Sequence, residues 1–343
     1  MGWPAASRRR AHSVSVVIPT YNRALSLCRL LRALQQCAVP NGGMEIVVVD
    51  DGSTDSTAAV VAEAGVRYLV QRNSGPAAAR DAGWRSAAGE IIIFMDDDVV
   101  PERDAVVELV RALEHVDGVG AVVLPLDTTS LISHYIHVDA IVDHKVVDGS
   151  VQWLITAAAA FRRDALERVN GFDLGFRPAG EDVDLSLRLV EAGCALRVEP
   201  AARVRHHHRA SLRSLIAMSH RYGTAYRALA ARHAAHRDIR RHSALLRFSP
   251  SEWGRMYSAY RLEAPALRSL MFMGLHAMVV VPYTVAVLTS RRSKPSTRVF
   301  EAVELIGRPP SALAHDPWQS AVVAEHVARH SDTMSPTVPS SAA

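Results

Sequence analysis

The chain has 343 residues, of which 49% are hydrophobic and 22% are charged, and its net charge is +4. This composition suits a large folded domain with appendages and excludes a wholly disordered chain. Basic residues cluster at 8–10, 203–241 and 291–294, which favours a phosphorylated substrate or an anionic lipid surface as partner. No zinc-finger spacing and no RNA-recognition signature accompanies the clusters, so we expect no nucleic-acid partner.

The three cysteines indicate a reducing compartment. Cys28, Cys37 and Cys194 are odd in number and have no metal-ligand spacing, which is typical of buried thiols. No apolar stretch precedes Val14, so we expect no cleaved signal peptide. The sequence therefore predicts a cytoplasmic protein.

Strands and helices alternate over the first hundred residues. Apolar or β-branched runs predict strands at 14–18, 45–49, 67–70 and 91–95. Leucines at helical spacing, such as Leu27 and Leu34, predict an amphipathic helix after the first strand. This alternation predicts an α/β domain with a mostly parallel, doubly wound sheet that is flanked by helices.

The pattern loosens in the second half of the chain. We predict strands at 119–123 and 153–161, helices at 163–170, 181–192 and 212–236, a basic histidine run at 203–209, and no clear period at 127–149. These helices predict a helical extension after the sheet.

The segment 270–289 is the one stretch that favours contact with a membrane. It is largely apolar and contains His276 and Pro282, and basic residues follow it at 291–294. Its length suffices to cross a bilayer with the basic end in the cytoplasm. The alternative is a buried or membrane-surface helix pair that is broken at Pro282.

Polar residues follow three of the predicted strands directly, as Thr20-Tyr21, Asp50-Asp51 and the run Asp96–Asp98. The carboxyl ends of parallel strands share one edge of a sheet, where ligands of open α/β folds bind. We therefore expect these side chains to meet around one ligand.

The three adjacent carboxylates Asp96, Asp97 and Asp98 end an apolar strand. Such a concentration of negative charge is unfavourable unless a cation neutralises it, and oxygen ligands suit Mg²⁺ or Mn²⁺ together with a substrate's phosphates. The alternative is a solvated acidic turn.

Six motifs in order then resemble the family 2 glycosyltransferases, which have a GT-A (Rossmann-like) fold. Between Ser13 and Tyr222 the chain reads VSVVIPTYNR, EIVVVDDGSTD, NSGPAAARDAG, AAGEIIIFMDDDVVP, NGFD and GEDVDLSLRLVEAG. The later segments RVRHHHRASLRSL and HRYGTAYR are similar to a subgroup that includes the glycosyltransferase of the mycofactocin system.

The resemblance implies a site for a nucleotide sugar. Its expected residues are Pro19, Thr20, Tyr21 and Arg23 around the base, Asp51 as the acceptor of a base N–H, Arg80 near the diphosphate, and Asp96 and Asp97 of the acidic run. Tyr21 could instead be a half-buried surface aromatic, and Arg80 could instead form a surface salt bridge with Asp81.

The same resemblance implies a metal and a base. Asp98 would contact Mn²⁺ or Mg²⁺, with Asp96 nearby and with His206 and His208 as further ligands, although this basic run could instead face an anionic acceptor or lipid. Asp182, paired with Glu181, would take the proton from the acceptor hydroxyl. Helix capping is the alternative for this acidic pair.

The expected function is an inverting, metal-dependent transfer of one sugar from a nucleotide sugar. UDP is the favoured nucleotide, and dTDP and GDP stay open. No Q-x-x-R-W motif surrounds Arg221, which argues against a processive synthase. The acceptor hydroxyl would belong to a cell-envelope, lipid-linked or small-molecule substrate, and residues 126–151 and 203–241 would shape its site.

Two rivals come from other classes. A dinucleotide-dependent oxidoreductase needs a glycine-rich turn after the first strand, and residues 19–23 contain no glycine. A non-catalytic scaffold that retains the fold would tend to lose the metal and base carboxylates, whereas Asp96, Asp98 and Asp182 are all present.

The expected organisation has four parts. Residues 1–12 form a flexible basic N-terminus, 13–210 the glycosyltransferase domain, 211–290 the helical extension with its membrane-associated segment 270–289, and 291–343 a largely disordered tail.

Overall fold

The computed structural model describes residues 13–139, 144–147, 150–177, 179–208, 211–234, 236 and 250–290. The predictions for the basic N-terminus and the tail fall on residues outside these ranges.

The described residues contain ten strands. They are β1 (Val14–Thr20), β2 (Met44–Asp50), β3 (Arg67–Val70), β4 (Ile91–Met95), β5 (Val99–Pro101), β6 (Gly118–Pro125), β7 (Lys145–Val147), β8 (Ser150–Trp153), β9 (Ala158–Arg162) and β10 (Leu196–His206). Eight of them form one sheet in the order β3-β2-β1-β4-β9-β6-β10-β5, and β7 pairs with β8.

The pairing confirms the predicted, mostly parallel sheet and places three strand tips together. Strand β1 runs parallel to both β2 and β4, and β2 runs parallel to β3. Thr20 is in register with Asp50 at the end of this ladder. Strand β9 is the exception in the middle of the sheet, because it is antiparallel to β4 and β6.

Ten helices accompany the sheet within the described residues. They are α1 (Ala24–Gln36), α2 (Thr57–Ala64), α3 (Pro76–Ser86), α4 (Ala105–Ala112), α5 (Leu131–Val138), α6 (Arg163–Arg168), α7 (Glu181–Glu191), α8 (Leu212–Arg232), α9 (Pro250–Glu263) and α10 (Ala266–Thr289).

Both faces of the sheet are buried, which explains why its strands read as continuous apolar runs. Alternate residues of β1 belong to two separate cores, with Val16 and Ile18 in one and Val17 in the other. The leucines of α1, such as Leu30, cover the first face, and Trp84 of α3 covers the second.

One predicted strand is wrong. Residues 153–161 form two strands, β8 and β9, rather than one. The backbone N–H of Leu154 donates to Ser186 Oγ at 3.0 Å, and that of Ile155 donates to His144 Nδ1 at 3.0 Å. These donors are therefore used by side chains and cannot continue a ladder.

Other boundaries also differ from the predictions. The region 127–149, for which no period was found, contains α5 and β7, and the last predicted helix ends at Arg232 rather than 236. Much of the basic histidine run belongs to β10. Its residues alternate, with Arg205 exposed and Val204 and His206 buried.

The helix pair that was considered for residues 270–289 is also wrong, because α10 continues through Pro282. A proline inside a helix removes one backbone hydrogen bond. Packing against α8 compensates: Ser219 donates to the carbonyl of Val279, and Arg227 Nη1 donates to the carbonyl of Val287 at 2.6 Å.

Helix α10 is long and apolar enough to cross a membrane by length and composition, and 39% of its most apolar window is buried inside the protein. Phe272 and Val280 face the interior, whereas Leu267 and Leu288 are exposed. Contact with a membrane therefore stays a prediction.

We predict that Phe94→Ala destabilises the fold by about 3–5 kcal/mol, because it leaves a cavity in a close-packed core. Phe94 is fully buried in β4, and its ring lies 5.1 Å from that of Phe172 and 6.0 Å from that of Phe161. Urea unfolding measures the change.

The control is Leu25→Ala on α1, since Leu25 is 78% exposed and its truncation should change the free energy of unfolding by less than about 0.5 kcal/mol. Equal losses for the two variants would contradict this account of the core.

Candidate active site

A cleft of about 740 Å³ lies at the carboxyl edge of the sheet. It brings together every residue that the sequence nominated for binding, metal or catalysis, namely Pro19, Thr20, Tyr21, Arg23, Asp51, Arg80, Asp96, Asp97, Asp98, Glu181, Asp182, His206 and His208. Residues from four strand ends and from the start of α7 therefore share one cavity.

The tip of β2 carries two carboxylates with different surroundings. Asp50 braces the turn, since it accepts from the Ser53 N–H at 2.8 Å and from the Tyr68 hydroxyl at 2.6 Å. Asp51 accepts from the backbone N–H groups of Ser74 and Gly75 at 2.7 and 2.8 Å and from a glutamine side chain. A carboxylate has about four acceptor positions, so Asp51 can still accept a hydrogen bond from a ligand.

The tip of β1 supplies an aromatic ring beside these carboxylates. Tyr21 is 47% exposed, whereas the preceding Thr20 is buried and donates to Asp97 Oδ2 at 2.8 Å. The threonine thus ties β1 to the acidic run, and the tyrosine ring is available to a ligand.

Within the acidic run, Arg23 neutralises two carboxylates. Its Nη1 lies 3.0 Å from Asp97 Oδ1 and also donates to Asp98. Burial raises the pKa of Asp97 to about 6 against the opposing charge of Arg23. For Asp98 burial also favours the neutral form, but the hydrogen bond and charge of His206, together with Arg23, outweigh it and hold its pKa below the usual range.

Two histidines extend this cluster from the end of β10. His206 Nε2 lies 3.2 Å from Asp98 Oδ1, and His206 Nδ1 lies 3.1 Å from His208 Nδ1. Both rings are buried, whereas His207 is exposed. Burial and the neighbouring His206 lower the pKa of His208 to about 4, so His208 is neutral at physiological pH.

These donors suit a divalent metal ion in chemistry, although the described residues hold no group of three His, Cys, Asp or Glu side chains arranged for a metal as they stand. Arg23 takes up the carboxylate oxygens instead. Among described side chains, the buried Nε2 of His208 has no hydrogen-bond partner. Carboxylate oxygen and neutral imidazole are ligands for Mn²⁺, so Asp98, His206 and His208 fit such an ion once Arg23 withdraws.

Arg80 joins the acidic run to the start of α7. Its Nη2 lies 2.5 Å from Asp96 Oδ1, and its Nη1 lies 2.6 Å from Glu181 Oε1. The guanidinium is buried, and the surface pair with Asp81 that the sequence allowed does not form, because Asp81 pairs with Arg85. A buried arginine with two carboxylate partners keeps its charge.

The acidic pair lies at the first turn of α7, where the helix dipole favours carboxylates. Burial raises the pKa of Glu181 to about 7, and the charge of Asp182 adds to this while Arg80 opposes it. Burial also raises the pKa of Asp182 against the charge of Arg80. Asp182 Oδ1 accepts from the Val183 N–H at 2.8 Å, so capping and an outward role coexist.

Sequence reasoning missed the far wall of the cleft. It is formed by α5, the end of β8, α8 and α10 through Ile136, Trp153, Met218, Arg221, Tyr222, Tyr226, Leu229 and Tyr283. Helical spacing in α8 indicates which residues share a face, but the fact that this face packs against the start of α7 is a long-range contact that leaves no local signal.

Comparison with known proteins agrees with this geometry. Residues 15–169 match the family model described as "Glycosyl transferase family 2". The "Pre-mycofactocin glycosyltransferase" of Mycobacterium tuberculosis is 35% identical over 235 residues, which cover 64% of this chain and 48% of that protein. The "Probable glycosyltransferase YdaM" of Bacillus subtilis is 28% identical over 208 residues, which cover 55% and 49%.

The chain thus spans about half the length of the curated relatives it matches. Among solved structures, a mannosyltransferase from Pyrobaculum calidifontis in complex with GDP-Man and Mn²⁺ superposes with a TM-score of 0.60 at 21% identity, over 82% of this chain and 88% of that one. This similarity confirms the GT-A fold. We conclude that the chain carries, over residues 15–169, a domain of glycosyl transferase family 2.

Proposed function

We propose that the protein transfers one sugar from a nucleotide sugar to a hydroxyl group of an acceptor, in a metal-dependent reaction that inverts the anomeric configuration. The observation that carries the proposal is the convergence of Asp51, Asp98 and Asp182, from three separate elements, on one cleft of about 740 Å³. A structural or scaffold role gives no reason for this convergence.

The strand-tip end of the cleft suits the nucleoside diphosphate. Tyr21 offers a ring for stacking on the base, and Asp51 offers an acceptor for its N–H. Arg80 is a permanent positive charge near the position expected for the diphosphate. UDP is the favoured nucleotide, with dTDP and GDP as alternatives.

Asp98, with His206 and His208, would hold Mn²⁺ or Mg²⁺, and Asp96 lies beside them. The metal, when bound, neutralises charge on the leaving nucleoside diphosphate. The mannosyltransferase that shares the fold is in complex with GDP-Man and Mn²⁺, which supports this assignment.

Asp182 is the proposed base. Its raised pKa suits the acceptance of a proton from an acceptor hydroxyl as the new C–O bond forms. Glu181 is instead engaged with Arg80, so its role is to hold that arginine in place. The acceptor oxygen then attacks the anomeric carbon opposite the leaving group, and a single displacement inverts the configuration.

The proposed acceptor is a cell-envelope, lipid-linked or small-molecule substrate, and the proposed location is the cytoplasm with contact to the inner face of the membrane through α10. The proposed units are the glycosyltransferase domain at 13–210 and the helical extension at 211–290.

We predict that Asp182→Asn lowers the turnover rate by about 10²–10⁴-fold, because the amide cannot accept the proton. The measurement is release of nucleoside diphosphate from a panel of UDP-, dTDP- and GDP-sugars in the presence of Mn²⁺ and candidate acceptors. Asp164→Asn is the matched control, since this side chain is 63% exposed on α6, and it should retain the activity of the unmodified protein. A fully active Asp182→Asn variant would remove Asp182 from the role of base.

Removal of the metal should abolish both transfer and tight nucleotide binding. We expect that a chelator prevents UDP binding in isothermal titration calorimetry, that Mn²⁺ restores it, and that Asp98→Asn is not restored by Mn²⁺, because the amide is a much weaker metal ligand. Asp127→Asn in an exposed turn is the control. Unchanged UDP affinity in the chelator would contradict the proposed metal dependence.

A further inference from the structure

The two ends of the cleft differ in chemistry. The strand-tip end is lined by charged groups, whereas the end formed by the C-terminal helices is lined by rings and aliphatic side chains. We call the four rings Trp153, Tyr222, Tyr226 and Tyr283 the aromatic wall. Among the described residues that α8 contributes to the cleft, Arg221 is the charged one.

The aromatic wall is continuous with the proposed base. Trp153, Tyr226 and Val183, the residue after Asp182, pack together against the apolar cluster of Phe176, Leu187 and Leu229. The rings of Tyr226 and Tyr283 lie 6.0 Å apart. A molecule that presents a hydroxyl to Asp182 from this side therefore has its remaining body against these rings.

Gly180 sets this closeness. It precedes α7 with φ +94°, and a Cβ at this position would lie 3.1 Å from the Cβ of Ala225 and 3.4 Å from Cδ1 of Leu229. Helix α8 thus packs directly on the turn that carries the acidic pair, so the aromatic wall belongs to the same cavity as the base.

The wall is poorly equipped for a polyhydroxylated ligand. Specific recognition of many hydroxyl groups needs several polar side chains that point into the site, and beyond the tyrosine hydroxyls this end offers Arg221. Met218, Leu229 and Tyr283 are each less than 10% exposed and add apolar surface. Half-buried rings favour flat partners, because offset and edge-to-face ring pairs gain about 0.5–1.5 kcal/mol beyond the area they bury.

We infer that the acceptor carries its reactive hydroxyl on an apolar body that contains a ring and that docks against the aromatic wall. This inference rests on the proposed function and narrows its acceptor class. A long alkyl chain shares the apolar character but not the ring, and the experiment separates the two.

The test is isothermal titration of three probes that share one sugar: methyl, 4-nitrophenyl and n-octyl β-D-glucopyranoside, each below its critical micelle concentration. We expect the aryl glucoside to bind about tenfold more tightly than the methyl glucoside, which corresponds to about one ring contact. Tyr226→Ala should abolish this preference, and Tyr226→Phe should retain it. Trp153→Ala is a second variant that should lower it.

A matched control separates the two ends of the cleft. Tyr21→Ala should weaken binding of UDP with Mn²⁺ and leave the preference for the aryl glucoside intact, whereas Tyr226→Ala should do the reverse. Retained UDP affinity also shows that the Tyr226→Ala variant is folded.

Equal binding of the aryl and methyl glucosides, in protein that binds UDP with Mn²⁺, would overturn the inference and leave the proposed function standing. Tighter binding of the octyl than of the aryl glucoside would overturn the preference for a ring. Failure of UDP and GDP to bind at all would count against the proposed function itself.

Discussion

The buried guanidinium of Arg80 is the interaction on which the site depends. It bridges Asp96 at the end of β4 and Glu181 at the start of α7, with N–O distances of 2.5 and 2.6 Å. These residues are far apart in sequence, and without a shared cation their charges would repel one another in a buried place. Loss of one partner of a buried pair costs about 3–5 kcal/mol, mostly because the other charge is left uncompensated. The bridge therefore fixes where the acidic run lies relative to Asp182.

Around this bridge the fold assembles the two ends of the cleft from different sources. The parallel ladder of β1, β2 and β4 brings the strand tips to one edge, which supplies the polar end. The packing of α8 on Gly180 and on α10 supplies the apolar end. Arg23 connects the acidic run to the start of α1, so the charge balance of the run depends on a residue that a bound metal ion would displace.

The polar end was readable from sequence because each strand is an apolar run that stops abruptly at polar residues. Asp51 and Asp98 lie where a parallel sheet places the ends of its strands. The order of six motifs gave the family, and the family gave roles to Arg80, Asp182 and His206, roles that helix capping or a surface salt bridge would have explained equally well.

The apolar end and the middle of the sheet were not readable. Residues 153–161 look like one strand, and only the side chains of Ser186 and His144, which take its backbone N–H groups, break it in two. The antiparallel insertion of β9 depends on pairing with β6, which is distant in sequence. Likewise, Pro282 predicts a break in an isolated helix, and contacts with Ser219 and Arg227 of α8 override that local preference.

The most direct test of the central claim is a crystal structure of the protein with UDP and Mn²⁺, with the metal located by its anomalous scattering. We predict one strong manganese peak within bonding distance of Asp98, beside His206 and the diphosphate, with Arg23 moved away from Asp98 and with Asp182 facing the same cavity. A manganese peak remote from Asp98, or a nucleotide bound outside the cleft, would contradict the account.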